Sequence, residues 1–256
     1  MRGAFLHGLR NIYRAWGESR RAASGDVKLG VVGEAGAAER IAGAVGAGRS
    51  GRGAGIVISV DGDGGVTVSG PAVEGERKLS LSGLSGETVR QELVPHVVRA
   101  VDEEHLVSLG RSYPAFRRAV CEEVVRKNAR QNAVVGALPI PGADMQVMTA
   151  NQARMVLMIA AAHGEELSLE RARELAGVLA AGVGLRTLAR QAVKLVPVGG
   201  WAAAGTIGYA GTLAMGRAAI LYFERGKREL SERERDEIWR RAKREAEEIS
   251  ARLRRR

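Results

Sequence analysis

Across residues 195–216 the chain carries no charged side chain, and within that run Gly200, Ala204, Gly208, Thr212 and Gly216 recur every four residues. Residues four apart share one helix face, so this spacing makes a smooth groove along which another helix can approach closely. Such a chain must build much of its fold by packing helices nearly backbone to backbone. Composition agrees: of 256 residues 34 are glycine, 45% are hydrophobic and only 4% are aromatic. A hydrocarbon core takes roughly 20 apolar residues to cross, and the run is long enough. Its six glycines and Pro197 weaken it as a span. Arg190, Lys194, Arg217 and Arg225 stand on both flanks, so charge gives no orientation. A re-entrant or bundle-buried helix is therefore expected ahead of a full span. Its groove is expected to face the helix that holds Asn151 and Gln152, within the chain or across a dimer.

That second helix lies in "LPIPGADMQVMTANQARMVLMIA", residues 138–160. Pro139, Pro141 and Gly142 stop the helix before it, and a new one begins near Ala143. Asp144 then falls in a first turn, where a carboxylate meets free N–H groups and the positive end of the macrodipole. Asn151 and Gln152 follow two turns later among methionines, and buried amides in helical bundles bond neighbouring helices. Asp144, Asn151, Gln152, Gly200, Gly208 and Gly216 are thus structural or interaction candidates. No nucleophile, base and oxyanion site assembles by spacing, and no His/acid pattern suits a metal, so no catalytic residue, metal or cofactor is expected. Cys121 is the lone cysteine, which excludes an internal disulfide.

Residues 26–84 follow a different pattern. "VKLGVVG" reads as a strand running into glycine, "AAERIAGAVGA" as a helix, and "GIVISVDGDGGVTVSG" as a hairpin turned on Asp-Gly and Gly-Gly. Strand, glycine turn and helix are the setting of a phosphate-binding loop. From Gly33, however, the residues read Gly-Glu-Ala-Gly-Ala-Ala-Glu-Arg, with Glu39 and Arg40 where Lys and Ser/Thr would hold phosphate and magnesium. Asp61-x-x-Gly64 imitates a second GTPase motif, but nothing reads Asn-Lys-x-Asp for guanine. Nucleotide hydrolysis is not expected, and 26–84 becomes a small α/β module, a decayed nucleotide-binding domain being one origin for it.

Elsewhere the chain is helical. Ser85 can cap a helix carrying Val89, Leu93, Val97 and Val101, and a second helix fits 114–136. Gly164 ends the third, a fourth runs from Ser168 to Gly182, and the last apolar helix opens after Pro197. From 227 a charged helix carries the thin apolar stripe Leu230, Ile238, Trp239, Ile249 and Leu253, the look of a solvated or coiled-coil helix. The fold class is mainly α: a Gly/Ala-rich helical bundle with a small N-terminal α/β element and a long charged C-terminal helix. Its parts are 1–22, 26–84, 85–226 and 227–256.

The net charge is +10. Arg2, Arg10, Arg14, Arg20 and Arg21 load the N-terminus, where Phe5, Leu9, Ile12, Tyr13 and Trp16 recur at helical spacing. This basic amphipathic helix suits a lipid surface or docking on the protein's own body. No apolar h-region of a secretory signal is present. Nucleic acid remains a partner on charge alone, although aromatic platforms for single strands are scarce.

Residues 111–226 resemble a bacterial domain of unknown function, number 697, the YcjF-type domain. The resemblance lies in "RSYPAFRRAV", "NARQNAVVGALPIPGADMQVMTANQARMV", Gly164 after "AAAH", "LRTLAR", and "VPVGGWAAAGTIGYAGTLAMGRAAILYF" with Gly226. That domain often follows an Era-like GTPase domain, some members are described as membrane proteins, and no catalytic residues are established for it. The resemblance implies a non-catalytic, membrane-associated helical module, a scaffold or partner of a GTPase. Its place would be the cytoplasmic face of the inner membrane, peripheral or partly embedded. Self-association through the Gly/Ala-rich helices is a further expectation. The alternatives are a soluble cytoplasmic protein associated with nucleic acid, and an enzyme with no recognisable motif.

Overall fold

The computed structural model describes residues 25–137, 143–165 and 185–254. The expected N-terminal helix and the helix at 168–182 lie outside them. The described chain divides into two compact units, one of residues 25–123 with 161–165, the other of residues 124–137, 143–160 and 185–254.

The first unit is built on a four-stranded sheet, β1 (Leu29–Gly33), β2 (Ile56–Val60), β3 (Gly65–Ser69) and β4 (Arg77–Ser80), in that spatial order. β1 and β2 are parallel, with Val31 opposite Ile58, and helix α1 (Ala35–Val45) connects them. β2–β3 and β3–β4 are antiparallel, with Ile58 opposite Val68 and Val66 opposite Leu79. Burial alternates along β2 and β3, so one face carries the core, as period-2 geometry requires. Ala37, Ala38, Ile41, Ala42 and Val45 are the buried side of α1, which packs on β1 and β2.

Two glycines are demanded by the sheet. Gly33 has φ +119°, and a Cβ there would strike the Val60 carbonyl; a Cβ on Gly30 would strike that of Ser50. The outer edge of β1 is closed by the chain itself. Val31 N–H donates to the Gly48 carbonyl (2.9 Å), and Leu29 N–H to the Tyr113 hydroxyl (2.8 Å). β4 is the strand that the sequence pattern did not reveal. Three of its four residues are exposed, and Arg77 and Lys78 blunt it as an edge.

A continuous helical stretch α2 follows, made of Gly86–Thr88, a π-helical segment Val89–Leu93, and Val94–Ala100. Ser85 caps it, its Oγ accepting from Thr88 N–H (3.1 Å), and Val89, Leu93, Val97 and Val101 are buried as expected. A short helix not anticipated from the sequence, α3 (Glu103–Ser112), starts on Glu103 and Glu104 and buries Leu106, Val107 and Leu109. Arg111 in its last turn pairs with Asp26 (3.0 Å).

Helix α4 (Pro114–Ala137) begins in the first unit and ends in the second. Its first half buries Phe116, Val120 and Cys121. Helix α5 (Ala143–Ala162) starts where Pro141 and Gly142 place it, and Gly164 follows it with φ +82°. Helix α6 runs unbroken over Leu185–Glu224, so the break expected at Pro197 does not occur. A mid-helix proline removes one backbone donor and crowds the preceding turn, but does not forbid continuation. After α6 the chain turns through Gly226 and Lys227, both with positive φ, and Lys227 N–H donates back to the Tyr222 carbonyl (2.8 Å).

The charged tail forms helix α7 (Glu232–Arg254), opened by a reciprocal capping box. Ser231 N–H donates to Glu234 (2.9 Å), and Glu234 N–H to the Ser231 hydroxyl (3.4 Å). Expected as solvated or coiled-coil-forming, α7 instead lies against α6, burying Ile238, Trp239, Ala242 and Ala246. The pairs Arg217–Glu245 (2.6 Å) and Arg225–Glu234 join the two helices. Arg225 first, then Ser231, hold the Glu234 carboxyl down to about 2.

Candidate functional site

Two places concentrate polar groups, one in each unit. In the helical unit, α4, α5 and α6 each contribute to a buried amide cluster. Asn132 of α4 donates from Nδ2 to the Thr212 hydroxyl of α6 (2.9 Å), and both side chains are fully buried. Thr212 passes its own proton to the Gly208 carbonyl one turn back (2.8 Å). From α5, Asn151 donates to Asn132 Oδ1 (3.0 Å), and Gln152 reaches the Thr212 hydroxyl at 3.4 Å. Asn151 and Gln152 are half-buried, so the chain of bonds runs from the surface inward and ends on backbone. Satisfied in this way, the cluster fixes the register of three helices.

The small-residue groove makes that contact possible. A Cβ on Gly216 would collide with Val125 of α4, and one on Gly208 would stand 3.0 Å from both the Asn132 carbonyl oxygen and Met148 Cε of α5. The groove therefore faces α4 first and α5 second, rather than the Asn151 helix alone. Asn151, Gln152 and Gly208 meet through Asn132 and Thr212, while Gly216 packs on Val125. Asp144 is the second residue of α5 and Gly200 lies within α6, but their surroundings are outside the described residues. The pattern missed Asn132, and it marked Thr212 as a small groove residue rather than as a hydrogen-bond partner. Asn128 and Asn132, one turn apart on an otherwise apolar helix side, were a readable signal, and both are buried.

In the α/β unit the strand–turn–helix after β1 has the geometry of an anion cradle, and its occupant is internal. Glu34 caps α1 with its own carboxylate, accepting from Ala37 N–H (2.7 Å) and Gly36 N–H (3.1 Å). Those bonds, Ala37 first, with Arg40 and Arg49 nearby, hold its carboxyl below the usual range. The N–H groups that a phosphate would need are thus already engaged. Sequence comparison with a phosphate loop drew attention to Glu39 and Arg40, but Glu34 does the blocking. Asp61 is equally committed, its Oδ1 accepting from Gly65 N–H (2.6 Å) and Asp63 N–H (3.1 Å) within its own hairpin turn. Beside that turn lies an open cleft of about 570 Å³, lined by Arg40, Asp63, Ser82 and Ser85. Ser82 and Ser85 are engaged there by Glu92 and Thr88. Among the described residues no group of three or more His, Cys, Asp or Glu could hold a metal.

The sequence model of a domain of unknown function, DUF697, matches residues 104–244, more than half of the chain. The chain belongs to the DUF697 family. The matched span includes Asn132, Asn151, Gln152 and Thr212, and it leaves out the sheet and α1. No curated protein and no solved structure matches the chain. Among the described residues no helix is long and apolar enough to cross a membrane.

Proposed function

We propose that this DUF697 protein is a non-catalytic helical module that works at an anionic membrane surface, as a scaffold or partner for a separately encoded GTPase. The observation that carries the proposal is Glu34. Where a strand–turn–helix would offer N–H groups to phosphate, this chain supplies its own carboxylate to Gly36 and Ala37. Nucleotide chemistry then belongs to a partner, and the α/β unit serves as a platform. In the helical unit the buried amides bond one another rather than converging on a substrate. Support for the membrane comes from the net charge of +10 and the basic amphipathic sequence at 1–21.

Fractionation of expressing cells, with low-salt and high-salt washes of the membrane pellet, tests the proposal together with labelled-GTP binding by the purified protein. Release from the pellet by high salt and no GTP binding are expected. A protein that never sediments removes the membrane, and magnesium-dependent micromolar GTP binding removes the non-catalytic reading.

A further inference from the structure

In the α/β unit, β4 and α2 are tied to each other at both ends. Before the strand, Glu74 N–H donates to the Ala100 carbonyl (2.9 Å) and Asp102 N–H to that of Ala72 (3.1 Å). After it, Ser82 N–H donates to the Glu92 carboxylate (2.9 Å). Between these ties stand Arg77 on the strand and His96 and Arg99 on the helix, the last two at i and i+3 on one side of α2. Both arginines are exposed and the imidazole is half-buried. His96 Nε2 is buried without a hydrogen-bond partner. After burial itself, Arg99 and then Arg77 disfavour a charge on that ring, and no carboxylate opposes them.

Acids are present on these elements, but they are engaged elsewhere. Glu76 pairs with Lys78 (3.4 Å), Glu87 accepts from Gln91 (2.9 Å), and Glu92 holds Ser82. Among the described residues no carboxylate, Glu74 and Asp102 included, pairs with Arg77 or Arg99. Two unpaired guanidiniums beside an imidazole repel one another, and an anion among them removes that repulsion. One guanidinium fork is enough for the two oxygens of a carboxylate. A phosphate monoester presents three acceptor oxygens and about two negative charges, which a second cation must meet. The ring adds a further N–H donor.

We infer that Arg77, His96 and Arg99 form a binding site for a phosphate monoester group in the seam between β4 and α2. The site shares no residue with the turn that Glu34 caps, and it does not depend on the membrane reading. Inorganic phosphate is the probe, and histidine proton NMR of the full chain is the readout. His96→Gln assigns the signal by removing one of four. A bound anion favours the protonated ring. Phosphate should therefore raise the midpoint of the His96 titration, saturably, while chloride at equal ionic strength should not. Arg77→Ala and Arg99→Ala should each raise the phosphate dissociation constant about tenfold, the loss of a charge-assisted contact. Arg90→Ala is the control, since Arg90 is exposed on α2 and carries the same charge but does not act on His96. It should change the constant by less than about twofold. All three arginines are exposed, and circular dichroism checks that the variants stay folded. No phosphate-dependent shift in the wild type, or equal constants in the three variants, overturns the inference. Flotation on phosphatidic acid vesicles, whose headgroup is a phosphate monoester, distinguishes the source. Loss of flotation in Arg99→Ala but not in Arg90→Ala assigns the group to a lipid. Flotation unchanged by either, with the phosphate shift intact, assigns it to a soluble ester, and the site stands in both cases.

Discussion

Val125 packs directly on the backbone of Gly216, leaving no room for a Cβ between α4 and α6. The valine is branched at Cβ and stiff, so it cannot rotate aside cheaply. Gly216→Ala should therefore cost about 1–3 kcal/mol, the range for overpacking. Gly208→Ala should cost less, because one of its two nearest neighbours is the flexible end of Met148, at 3.0 Å. Gly43 in α1 has nothing within 4 Å of a built Cβ. There alanine should gain about 0.5–1 kcal/mol through reduced backbone entropy of the unfolded chain. Urea unfolding of the three variants checks the order, and a Gly216→Ala protein as stable as wild type would refute the close-packed seam.

The amide cluster should behave unequally along its length. Asn132 and Thr212 are fully buried, so losing one strands the other away from water. A double-mutant cycle of Asn132→Ala and Thr212→Val should show coupling of about 1 kcal/mol or more. The Asn132–Asn151 cycle should show less, because the half-buried Asn151 can turn to solvent. Equal coupling in the two cycles would mean that burial does not set the strength of these bonds.

How much of this was legible depends on how local each signal is. The β1–α1–β2–β3 order followed from apolar alternation and from Asp-Gly and Gly-Gly turns, all short-range. β4 was not readable because "RKLS" is an exposed edge with one large apolar residue, and such strands are fixed by pairing rather than by burial. α6 was divided at Pro197 because the sequence shows the missing donor, while neighbouring helices decide whether the helix continues. Asn151 and Gln152 were recognisable as interhelical groups. Which residue each would meet was not, since Gln152 and Thr212 stand 60 residues apart and their pairing is set by how the helices pack. Glu34 escaped because a loop template assigns roles by position, whereas the cap is set by where α1 begins.

His96 predicts an acid-sensitive α/β unit. Its Nε2 is buried without a hydrogen-bond partner. Burial first, then Arg99 and Arg77, lower its pKa from 6.5. Between the lowered folded value and 6.5 the unfolded chain binds a proton that the folded chain refuses. Stability from this residue is thus full above 6.5 and falls as the pH drops below it. Urea midpoints at several pH values should decline on acidification, and His96→Leu should flatten that part of the decline. An unchanged slope in the variant would assign the acid sensitivity to other groups.

Trp239 separates packing from hydrogen bonding in the contact between α7 and α6. Its ring is 8% exposed, and its Nε1–H is buried without an acceptor. The indole therefore contributes apolar contact while its donor pays a desolvation cost. Trp239→Phe retains most of the contact and removes the stranded donor, so it should change stability by less than about 1.5 kcal/mol. Trp239→Ala keeps neither, and should cost about 3–5 kcal/mol if the site cannot collapse. Raised salt should weaken the Arg217–Glu245 and Arg225–Glu234 pairs in all three proteins alike. Denaturant titrations at low and high salt give each number. A phenylalanine variant as unstable as the alanine one would show that the indole N–H does have an acceptor when α7 is docked, and that the contact is held by more than apolar burial.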